Sequence, residues 1–530
     1  MPLELTLHGA GRTVTGSCLE FATGGQRLLV DCGMFQGSRT LEGLNREGTL
    51  ANPAGIAAVI LTHAHIDHSG LLPKLVRDGF SGPIWCTGKT GELLEFMLAD
   101  SGRIQEAEAE RHARRNDRTH REGIGPLYTE DDALAAAQRA RPVELDTWFE
   151  PAPGFRARLW NAGHILGSAS VELEAAGVRV MCSGDIGPDN KAFYADPEGP
   201  CCFDHVICES TYGDRPRQHA TIAERRALLA EVINEARAKG GNLVIPSFAL
   251  ERTQELLLDI ATLSRAGDIG QAMVFVDSPL ANRATQVFSR YLPELEDTGG
   301  IDVFRSSAIH YVTDVAESMR LNTISGAIII AASGMCEAGR IRHHLFHNLA
   351  RRESTVLFVG FQAQGSLGRV ILDGAKRVRI SGRDVIVRAA IRRIDTYSAH
   401  ADQSELLAWI AARAPITGSL LLDHGESTAI DVLARLAAER ALAPAVRVPE
   451  IGERWELPPA APARRRATGP AIAARAVGRD WQNAYADLAS GLKHHLERLR
   501  DDAAREAAIA EMRKVLESYA EARESRKRHG

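Results

Sequence analysis

The sequence contains few cysteines and no long hydrophobic run. It has eight cysteines in 530 residues and no CxxC pair, which indicates reduced thiols rather than a disulfide framework. No run of apolar residues approaches the roughly 18 that a membrane-spanning helix needs. The first residues, MPLELTLHGAGR, lack the basic and apolar regions of a signal peptide. These absences predict a cytoplasmic protein without a membrane segment.

Basic and acidic residues are nearly balanced, with 63 Lys and Arg against 68 Asp and Glu. The balance is uneven along the chain, because residues 460–530 contain fifteen basic and ten acidic residues and the rest is therefore acidic. An acidic body does not exclude a nucleic-acid ligand, since a cleft built around metal ions needs carboxylates and local fields decide binding. The length allows two to three domains with substantial cores.

The segment Leu61–Gly70, LTHAHIDHSG, is the most informative part of the chain. It follows an apolar run that is typical of a buried strand. His63 and His65 have the same parity on an extended chain, so both side chains can converge on one ion. Asp67 and His68 follow where a helix is expected to begin, and they can face a second ion. Two such sites suit a zinc pair that activates water. The alternative is a His-rich surface turn or a capped helix start.

Three later positions offer further metal ligands. His164 lies on a glycine-flanked loop before a strand predicted at Ser168–Leu173, and Asp185 follows a strand predicted at Val178–Met181. His400 precedes a predicted helix, and Asp185 could bridge two cations. A single histidine is more often a surface or core residue than a ligand. The order of these residues after HxHxDH makes the set informative.

With Asp31 in LVDCGMFQG, these motifs resemble the ordered motifs of the metallo-β-lactamase fold. More specifically, the chain is similar to the β-CASP nucleases, the group that contains the cleavage-and-polyadenylation endonuclease and ribonuclease J. Glu209 in CESTYGDR, SAHAD at Ser398–Asp402 and DHGE at Asp423–Glu426 match further motifs of that family. The resemblance covers about residues 1–455. It implies an α/β protein in which an αββα sandwich carries an inserted parallel α/β β-CASP domain and a C-terminal helical extension.

The resemblance also implies two Zn²⁺ ions per chain. One ion would be held by His63, His65 and His164, and the other by Asp67, His68 and His400. Asp185 would bridge the two ions, and Asp31 would orient the site from behind the ligands. Catalytic roles are expected for the following residues: Asp67, Asp185, Glu209, His400 and His424.

One position departs from the family pattern. Val370 stands in the helix after a glycine-rich turn, where family members usually carry a histidine proposed to protonate the leaving group. Candidates to replace it are His343, His344 and His347 on the preceding predicted helix, and His424. The leaving-group acid is therefore unassigned by the sequence.

Between about residues 210 and 390 the pattern changes to repeated strand, loop and helix, which predicts a parallel α/β insert. The strands are predicted at Asn242–Ile245, Met273–Val276, Ala327–Ala331 and Thr355–Val359. The loop after each strand places Ser, Gly or Gln before a helix, where free N–H groups favour anions. Ordinary N-capping is the alternative for any one loop. The residues expected to bind RNA phosphates are Ser247, Arg252, Ser333, Gly334, Met335, Arg340, Gln362, Gly365 and Ser366.

These patterns predict five segments along the chain. Residues 1–209 and 391–457 are expected to form the metallo-β-lactamase domain, with 210–390 as the β-CASP insert. Residues 458–479 are interpreted as a basic linker rich in proline and arginine, and 480–530 as helices that could contact a protein partner.

The function that the resemblance implies is a zinc-dependent ribonuclease. A metal-bound hydroxide would hydrolyse single-stranded RNA in the cleft between the two domains, by endonuclease or 5′-exonuclease action. The family also suggests a homodimer. The alternatives are a catalytically silent RNA-binding subunit and a DNA-directed nuclease of the same fold.

Overall fold

The computed structural model describes residues 1–528 except residue 38 and residues 48–49, 117–124, 217–220, 299–301, 361, 363–365, 470–491, 493–494 and 497. Its strands, β1–β23 in chain order, span Leu3–Leu7, Leu19–Thr23, Gln26–Val30, Ala58–Ile60, Ile84–Cys86, Ala140–Pro142, Phe149–Ala152, Phe155–Asn161, Ala169–Ala175, Val178–Cys182, Phe203–Cys208, Leu243–Pro246, Val274–Val276, Ile309–Tyr311, Ile328–Ala331, Thr355–Phe358, Arg377–Ile380, Arg383–Ile386, Ala390–Arg393, Ile416–Leu422, Val446–Arg447, Arg454–Leu457 and Arg464–Ala467. Its helices, α1–α14, span Arg39–Glu47, Ile66–Ser69, Leu72–Arg77, Gly88–Asn116, Glu130–Ala137, Ile222–Ala238, Arg252–Ala266, Pro279–Tyr291, Val315–Arg320, Ile341–Asn348, Leu367–Leu372, Gln403–Ala411, Ser427–Glu439 and Asp502–Arg528. Single-turn 3₁₀ helices lie at Pro53–Gly55, Leu292–Glu294, Val303–Arg305 and Leu321–Thr323.

Two mixed sheets face each other and form a sandwich. One has the strand order β23-β22-β1-β2-β3-β4-β5-β6 and the other β21-β20-β11-β10-β9-β8-β7. Leu3, Leu5 and Leu7 alternate with polar residues along β1, so the three leucines are buried between the sheets. Helices α2–α5 cover one outer side and α12 and α13 the other. The expected αββα sandwich is confirmed.

The ends of several neighbouring strands bring the motif residues to one edge of this sandwich. Strands β10, β11 and β20 are parallel neighbours, so their carboxyl ends meet at the same edge. Asp185, Glu209 and His424 follow these three strands within three residues. The HxHxDH segment follows β4 of the opposite sheet. The fold therefore gathers side chains that are hundreds of residues apart in the chain.

The insert contains a third sheet with the order β14-β13-β15-β12-β16-β19, in which all neighbours are parallel. Strands β12, β13, β15 and β16 correspond to the four strands predicted from the sequence, with each end within one residue of the prediction. Helix α7 packs with Ile165, Leu166 and Phe193 in one hydrophobic cluster. This cluster joins the insert to the loops that carry the motif residues, so the parallel α/β insert is confirmed and is packed against the sandwich.

The segment after residue 457 is partly sheet. Strand β23 pairs antiparallel with β22, and Arg465 and Arg466 form ion pairs with Glu453 and Glu456 of the same sheet region. Most of the basic segment expected after residue 464 lies outside the described residues. Helix α14 follows near the C-terminus, and none of the helices in the described part of the chain is apolar enough over a sufficient length to cross a membrane.

Candidate metal centre

Four donor groups converge at the edge of the sandwich. Atoms Nε2 of His63 and Nε2 of His164 lie 3.1 and 3.2 Å from Nδ1 of His65. Oδ2 of Asp185 lies 3.6 Å from Nε2 of His63 and 3.5 Å from Nε2 of His164. Ligands at zinc bond lengths around a tetrahedral ion would be about 3.3–3.6 Å apart. The spacing of this group therefore fits four ligands of one ion.

The protonation of these groups is suited to ligation. Burial lowers the pKa of His63 and of His164 well below the ordinary value, and it lowers the pKa of His65 to about 4. Burial alone would raise the pKa of Asp185, but His424 and His68 hold that pKa well below its usual range. Neutral imidazoles and an ionised carboxylate are the forms that bind a metal ion.

A second donor group lies beside the first and consists of Asp67, His68 and His424. Nε2 of His68 lies 3.2 Å from Nε2 of His424 and 3.2 Å from Oδ1 of Asp185. Nε2 of His424 lies 3.8 Å from Oδ2 of Asp67. Asp185 thus has one oxygen towards each donor group, which is the position expected for a bridging carboxylate.

His400 is not a member of this second donor group among the described residues, and its expected role as a metal ligand stays a prediction. Its Nδ1 lies 3.1 Å from Oε1 of Glu209 and 3.9 Å from Oδ2 of Asp185. The loop after β20 places His424 next to His68 instead. His424 has a φ of 44°, and its backbone N–H donates to the carbonyl of Ala10, so the strand end directs the ring inward.

One of the buried side-chain atoms that lack a hydrogen-bond partner among the described residues lies in this centre. It is Oδ1 of Asp185, which lies close to His68 and to His424 without hydrogen-bond geometry to either. An unpaired carboxylate oxygen in a buried position is costly. A cation between the two donor groups would satisfy it. The donor set therefore fits the binding of divalent metal.

Asp31 lies behind the second group and fixes the ring of His68. Its Oδ2 accepts a 2.7 Å hydrogen bond from Nδ1 of His68. Its Oδ1 accepts from the backbone N–H of Thr62 at 2.8 Å, and the hydroxyl of Ser17 donates to Oδ2 at 3.3 Å. This leaves Nε2 of His68 directed at the other donors, as expected for a carboxylate that orients a metal-binding histidine.

His164 is fixed in a similar way by the backbone of the SAHAD segment and by a lysine. Its Nδ1–H donates to the carbonyl of Ala399 at 2.8 Å, and Nζ of Lys191 donates to the backbone carbonyl of His164. Lys191 also forms a 2.8 Å ion pair with Glu251, whose carboxylate accepts a 2.6 Å hydrogen bond from the hydroxyl of Tyr194. Lys191 and Glu251 are buried. Sequence reasoning missed this connection, because a single lysine and a glutamate 60 residues apart carry no signal.

The insert edge, defined here as the loops that follow β12, β13, β15 and β16, holds the residues expected to bind phosphates. Arg252 is buried and forms a 2.6 Å ion pair with Glu255. Arg340 forms a 2.6 Å ion pair with the buried Asp277. The guanidinium groups of these two arginines are therefore already neutralised within the protein.

The other expected phosphate-binding residues are mixed in exposure. Ser247 is buried, and Ser366 caps helix α11 by accepting from the N–H of Arg369 at 3.2 Å. Gln362 is buried and donates to the carbonyl of Gly334 at 3.0 Å. Gly334 is buried, whereas Ser333 and Met335 are partly exposed. Gly365 lies outside the described residues. Their role in RNA binding stays a prediction.

Val370 lies on α11 and packs against a hydrophobic cluster of the insert. His344 is buried and donates to Asp277 at 2.7 Å, while His343 and His347 are exposed on α10. None of these four residues belongs to the donor groups found in the described part of the chain. His400, next to Glu209, is the histidine left at the edge of the centre.

The sequence matches three family descriptions in order along the chain. Residues 11–217 match the metallo-beta-lactamase superfamily, 253–371 match the Beta-Casp domain, and 384–447 match the Zn-dependent metallo-hydrolase RNA specificity domain. The chain is 34% identical over 445 residues to a protein of Thermus thermophilus named as a ribonuclease, covering 83% of this chain and 96% of that protein. It is 28% identical over 476 residues to the transcription termination factor FttA of Cenarchaeum symbiosum, covering 86% and 71%.

Two further similarities agree with this. An RNase J-like protein of Methanocaldococcus jannaschii is 28% identical over 430 residues, covering 80% of this chain and 92% of that protein. A crystal structure of an Enterococcus faecalis protein of unknown function has the same fold, with a TM-score of 0.51 at 14% identity over 86% of this chain and 99% of that one. The resemblance drawn from the motifs is confirmed: the chain belongs to the metallo-β-lactamase superfamily, in the group that carries a β-CASP domain.

Proposed function

We propose that this protein is a zinc-dependent ribonuclease that hydrolyses phosphodiester bonds of single-stranded RNA between the sandwich and the insert. The observation that carries the proposal is the pair of convergent donor groups that share Asp185. The relative named as a ribonuclease and the match to an RNA specificity domain support RNA as the substrate.

We assign one zinc ion to His63, His65 and His164 and a second to Asp67, His68 and His424, with Asp185 between them. His424 takes the place that the sequence suggested for His400. When bound, two zinc ions lower the pKa of water and stabilise charge on phosphoryl oxygens. Asp31 and the carbonyl of Ala399 hold the rings of His68 and His164 so that each Nε2 faces its ion.

His400 is the residue that we assign to protonate the leaving oxygen. Its side chain is 21% exposed, so it faces the cleft rather than the core. Glu209 is buried and holds Nδ1 of His400, which orients Nε2 of the ring. A positioned general acid contributes about 10²–10⁴-fold to a rate. With His400 in this role, the valine at position 370 does not leave the reaction without an acid.

The wider assignments follow from the same proposal. We place the boundaries of the insert at about residues 210 and 390, although β19, the last strand of its parallel sheet, extends past the second boundary to Arg393. We propose a reducing cytoplasm, because all eight cysteines are free thiols and six of them are buried. The homodimer and a protein partner for the C-terminal helices stay predictions.

The test uses zinc-loaded protein with single-stranded RNA and DNA of matching sequence, each labelled at the 5′ end. We expect RNA cleavage by the wild type, none by His63→Ala or Asp185→Ala, and wild-type cleavage by His343→Ala, which removes an exposed histidine of the insert. The length of the labelled product separates the two activities, because a 5′-exonuclease releases labelled mononucleotides and an endonuclease releases longer labelled fragments.

Two results would contradict the proposal. Cleavage of DNA but not RNA would identify a DNA-directed nuclease of the same fold. RNA that is bound but left intact by zinc-loaded protein would identify a silent RNA-binding subunit.

A further inference from the structure

A phenylalanine at the insert edge is exposed where its neighbours are buried. Phe248 follows the last residue of β12 by two positions and is 42% exposed. Ser247, Ala249 and Leu250 are all buried. The loop is therefore well packed, and only this side chain is directed outwards from it.

The backbone under Phe248 is held by several hydrogen bonds. The carbonyl of Phe248 accepts from the hydroxyl of Thr253 at 2.7 Å and from the hydroxyl of Ser247 at 3.2 Å. The N–H of Ser247 donates to the carbonyl of Ala331 on the neighbouring strand β15. An exposed ring on a backbone fixed in this way loses little conformational freedom when it binds a ligand.

One side of the ring rests on the next loop of the insert edge. A Cβ atom at Gly334 would lie 2.8 Å from both Cδ2 and Cε2 of Phe248, so any larger residue would displace the ring. Gly334 is itself held by the side-chain amide of Gln362. The ring thus has one supported side and one side open to solvent.

The loop of Phe248 is connected to the metal centre through Glu251 and Lys191. Glu251, three residues further along, forms the ion pair with Lys191, and Lys191 binds the carbonyl of His164. Three residues span at most about 11 Å. The loop of Phe248 is therefore on the part of the insert that contacts the metal centre, and an RNA strand bound at the centre can extend to this ring.

Because two arginines of the insert edge are already paired within the protein, an aromatic contact contributes more to RNA binding at this loop. Arg252 and Arg340, which lie at the starts of the helices after β12 and β15, are paired with Glu255 and Asp277. Neutralised guanidinium groups attract phosphates weakly, whereas an exposed aromatic ring stacks on any base because every base has a π-face.

We propose that Phe248 is a stacking platform for one base of the RNA that lies across the metal centre. This inference rests on the proposed function for the identity of the ligand, which is single-stranded RNA. Gly334 is its structural partner, because it leaves room for the ring. The contact acts on affinity and on the position of the strand, while the metal ligands act on bond cleavage.

The test measures the Kd of a labelled single-stranded RNA with hydrolysis-resistant linkages, by fluorescence anisotropy on the intact chain. We expect Phe248→Ala to raise the Kd by about 5- to 100-fold, the range found when a stacking aromatic residue is removed. Phe248→Trp should bind like the wild type, and Phe248→Leu should bind like the alanine variant. Leu228→Ala, which removes a 43% exposed apolar side chain of α6 in the insert, is the matched control and should leave the Kd unchanged.

A second arm locates the base. RNAs with one abasic position each are bound to the wild type and to Phe248→Ala. At one position the missing base should weaken binding to the wild type and have no further effect on binding to Phe248→Ala. This non-additivity indicates direct contact between that base and Phe248. Gly334→Ala, which displaces the ring without removing it, should give an intermediate Kd.

The outcomes separate this inference from the proposed function. An unchanged Kd for Phe248→Ala, or full binding by Phe248→Leu, would overturn the stacking platform whether or not the protein cleaves RNA. Phe248-dependent binding by a wild type that cleaves neither RNA nor bis(p-nitrophenyl) phosphate would uphold the platform and overturn the ribonuclease.

Discussion

The metal centre and the insert edge differ in whether their charged groups have partners of opposite charge within the protein. At the metal centre, imidazoles and carboxylates face one another, and Oδ1 of the buried Asp185 is left without a hydrogen bond among the described residues. At the insert edge, Arg252 and Arg340 each face a carboxylate of the protein at 2.6 Å.

The difference indicates where each region obtains its binding energy. A buried set of donors with unpaired lone pairs is unfavourable unless cations complete it, so the metal centre is built for an external ligand. At the insert edge Arg252 and Arg340 each already have a carboxylate partner, although Nε of Arg252 lacks a hydrogen bond among the described residues, so ion pairs with a ligand contribute less there. We therefore expect ligand binding to depend mainly on electrostatic interactions at the metal centre and mainly on shape and base stacking at the insert edge.

The largest effect should follow from the loss of a shared ligand. Asp185→Asn is expected to reduce RNA cleavage by more than the roughly 10- to 100-fold that outer partners of metal ligands cost, because it weakens both donor groups. Zinc content, measured by elemental analysis, should fall in parallel. Normal zinc content with lost activity would mean that Asp185 acts on the substrate and not on the ions.

His400 and His424 should behave differently, although both lie near Asp185. His400→Ala is expected to keep its zinc and to lose about 10²–10⁴-fold in kcat, as a general acid would. His424→Ala is expected to lose zinc from the second group. A substrate with a good leaving group, which needs no protonation, should restore much of the rate of His400→Ala. Loss of zinc from His400→Ala would mean that His400 is a metal ligand.

The ion pair that joins the centre to the insert should matter for stability. Lys191→Met leaves Glu251 buried and unpaired, so the free energy of unfolding is expected to fall by about 3–5 kcal/mol. Arg435→Met breaks the exposed pair with Glu439 on α13 and should change stability by at most about 1 kcal/mol. Denaturant titrations of both variants give the comparison, and equal small effects would mean that the buried pair contributes nothing specific.

Asp31→Asn should have a smaller effect on the centre than the loss of a ligand. It weakens the hydrogen bond that fixes His68, and we expect about 10- to 100-fold weaker zinc binding. Competition with a chelator of known affinity measures this. Unchanged zinc affinity would show that the hydroxyl of Thr62, 3.4 Å from Nδ1 of His68, is enough to place the ring.

The smallest effect is expected at the insert edge. A phosphate contact by an arginine contributes about one unit to the slope of log Kd against log salt. Arg340→Gln should change that slope by much less than one, because Asp277 already neutralises the guanidinium group. Arg369, whose pair with Asp373 is exposed, is the contrasting position, and Arg369→Gln should lower the slope more. The reverse order would mean that RNA displaces Asp277 from Arg340.

Much of the fold follows from local patterns. The alternation in β1 and the apolar runs of β12, β13, β15 and β16 predict these strands, because burial on one or both faces leaves a direct trace in the sequence. The basic segment near residue 464 was interpreted as a linker, yet Arg464–Ala467 forms strand β23. Three consecutive arginines give no strand signal, and the pairing depends on the free edge of β22 and on Glu453 and Glu456.

By itself, the sequence determined the HxHxDH donors, the later motif residues and the family, because residues close together in the chain are constrained by the strand-to-helix turn that carries them. The tertiary structure decided which distant histidine completes the second group, since parallel pairing of β11 with β20 sets His424 beside His68. It also decided that Arg252 and Arg340 are paired within the insert and that Phe248 is exposed. The physical reason is that spacing along a chain constrains only near neighbours, whereas the partner of a charge or ring far along the chain depends on which elements pack together.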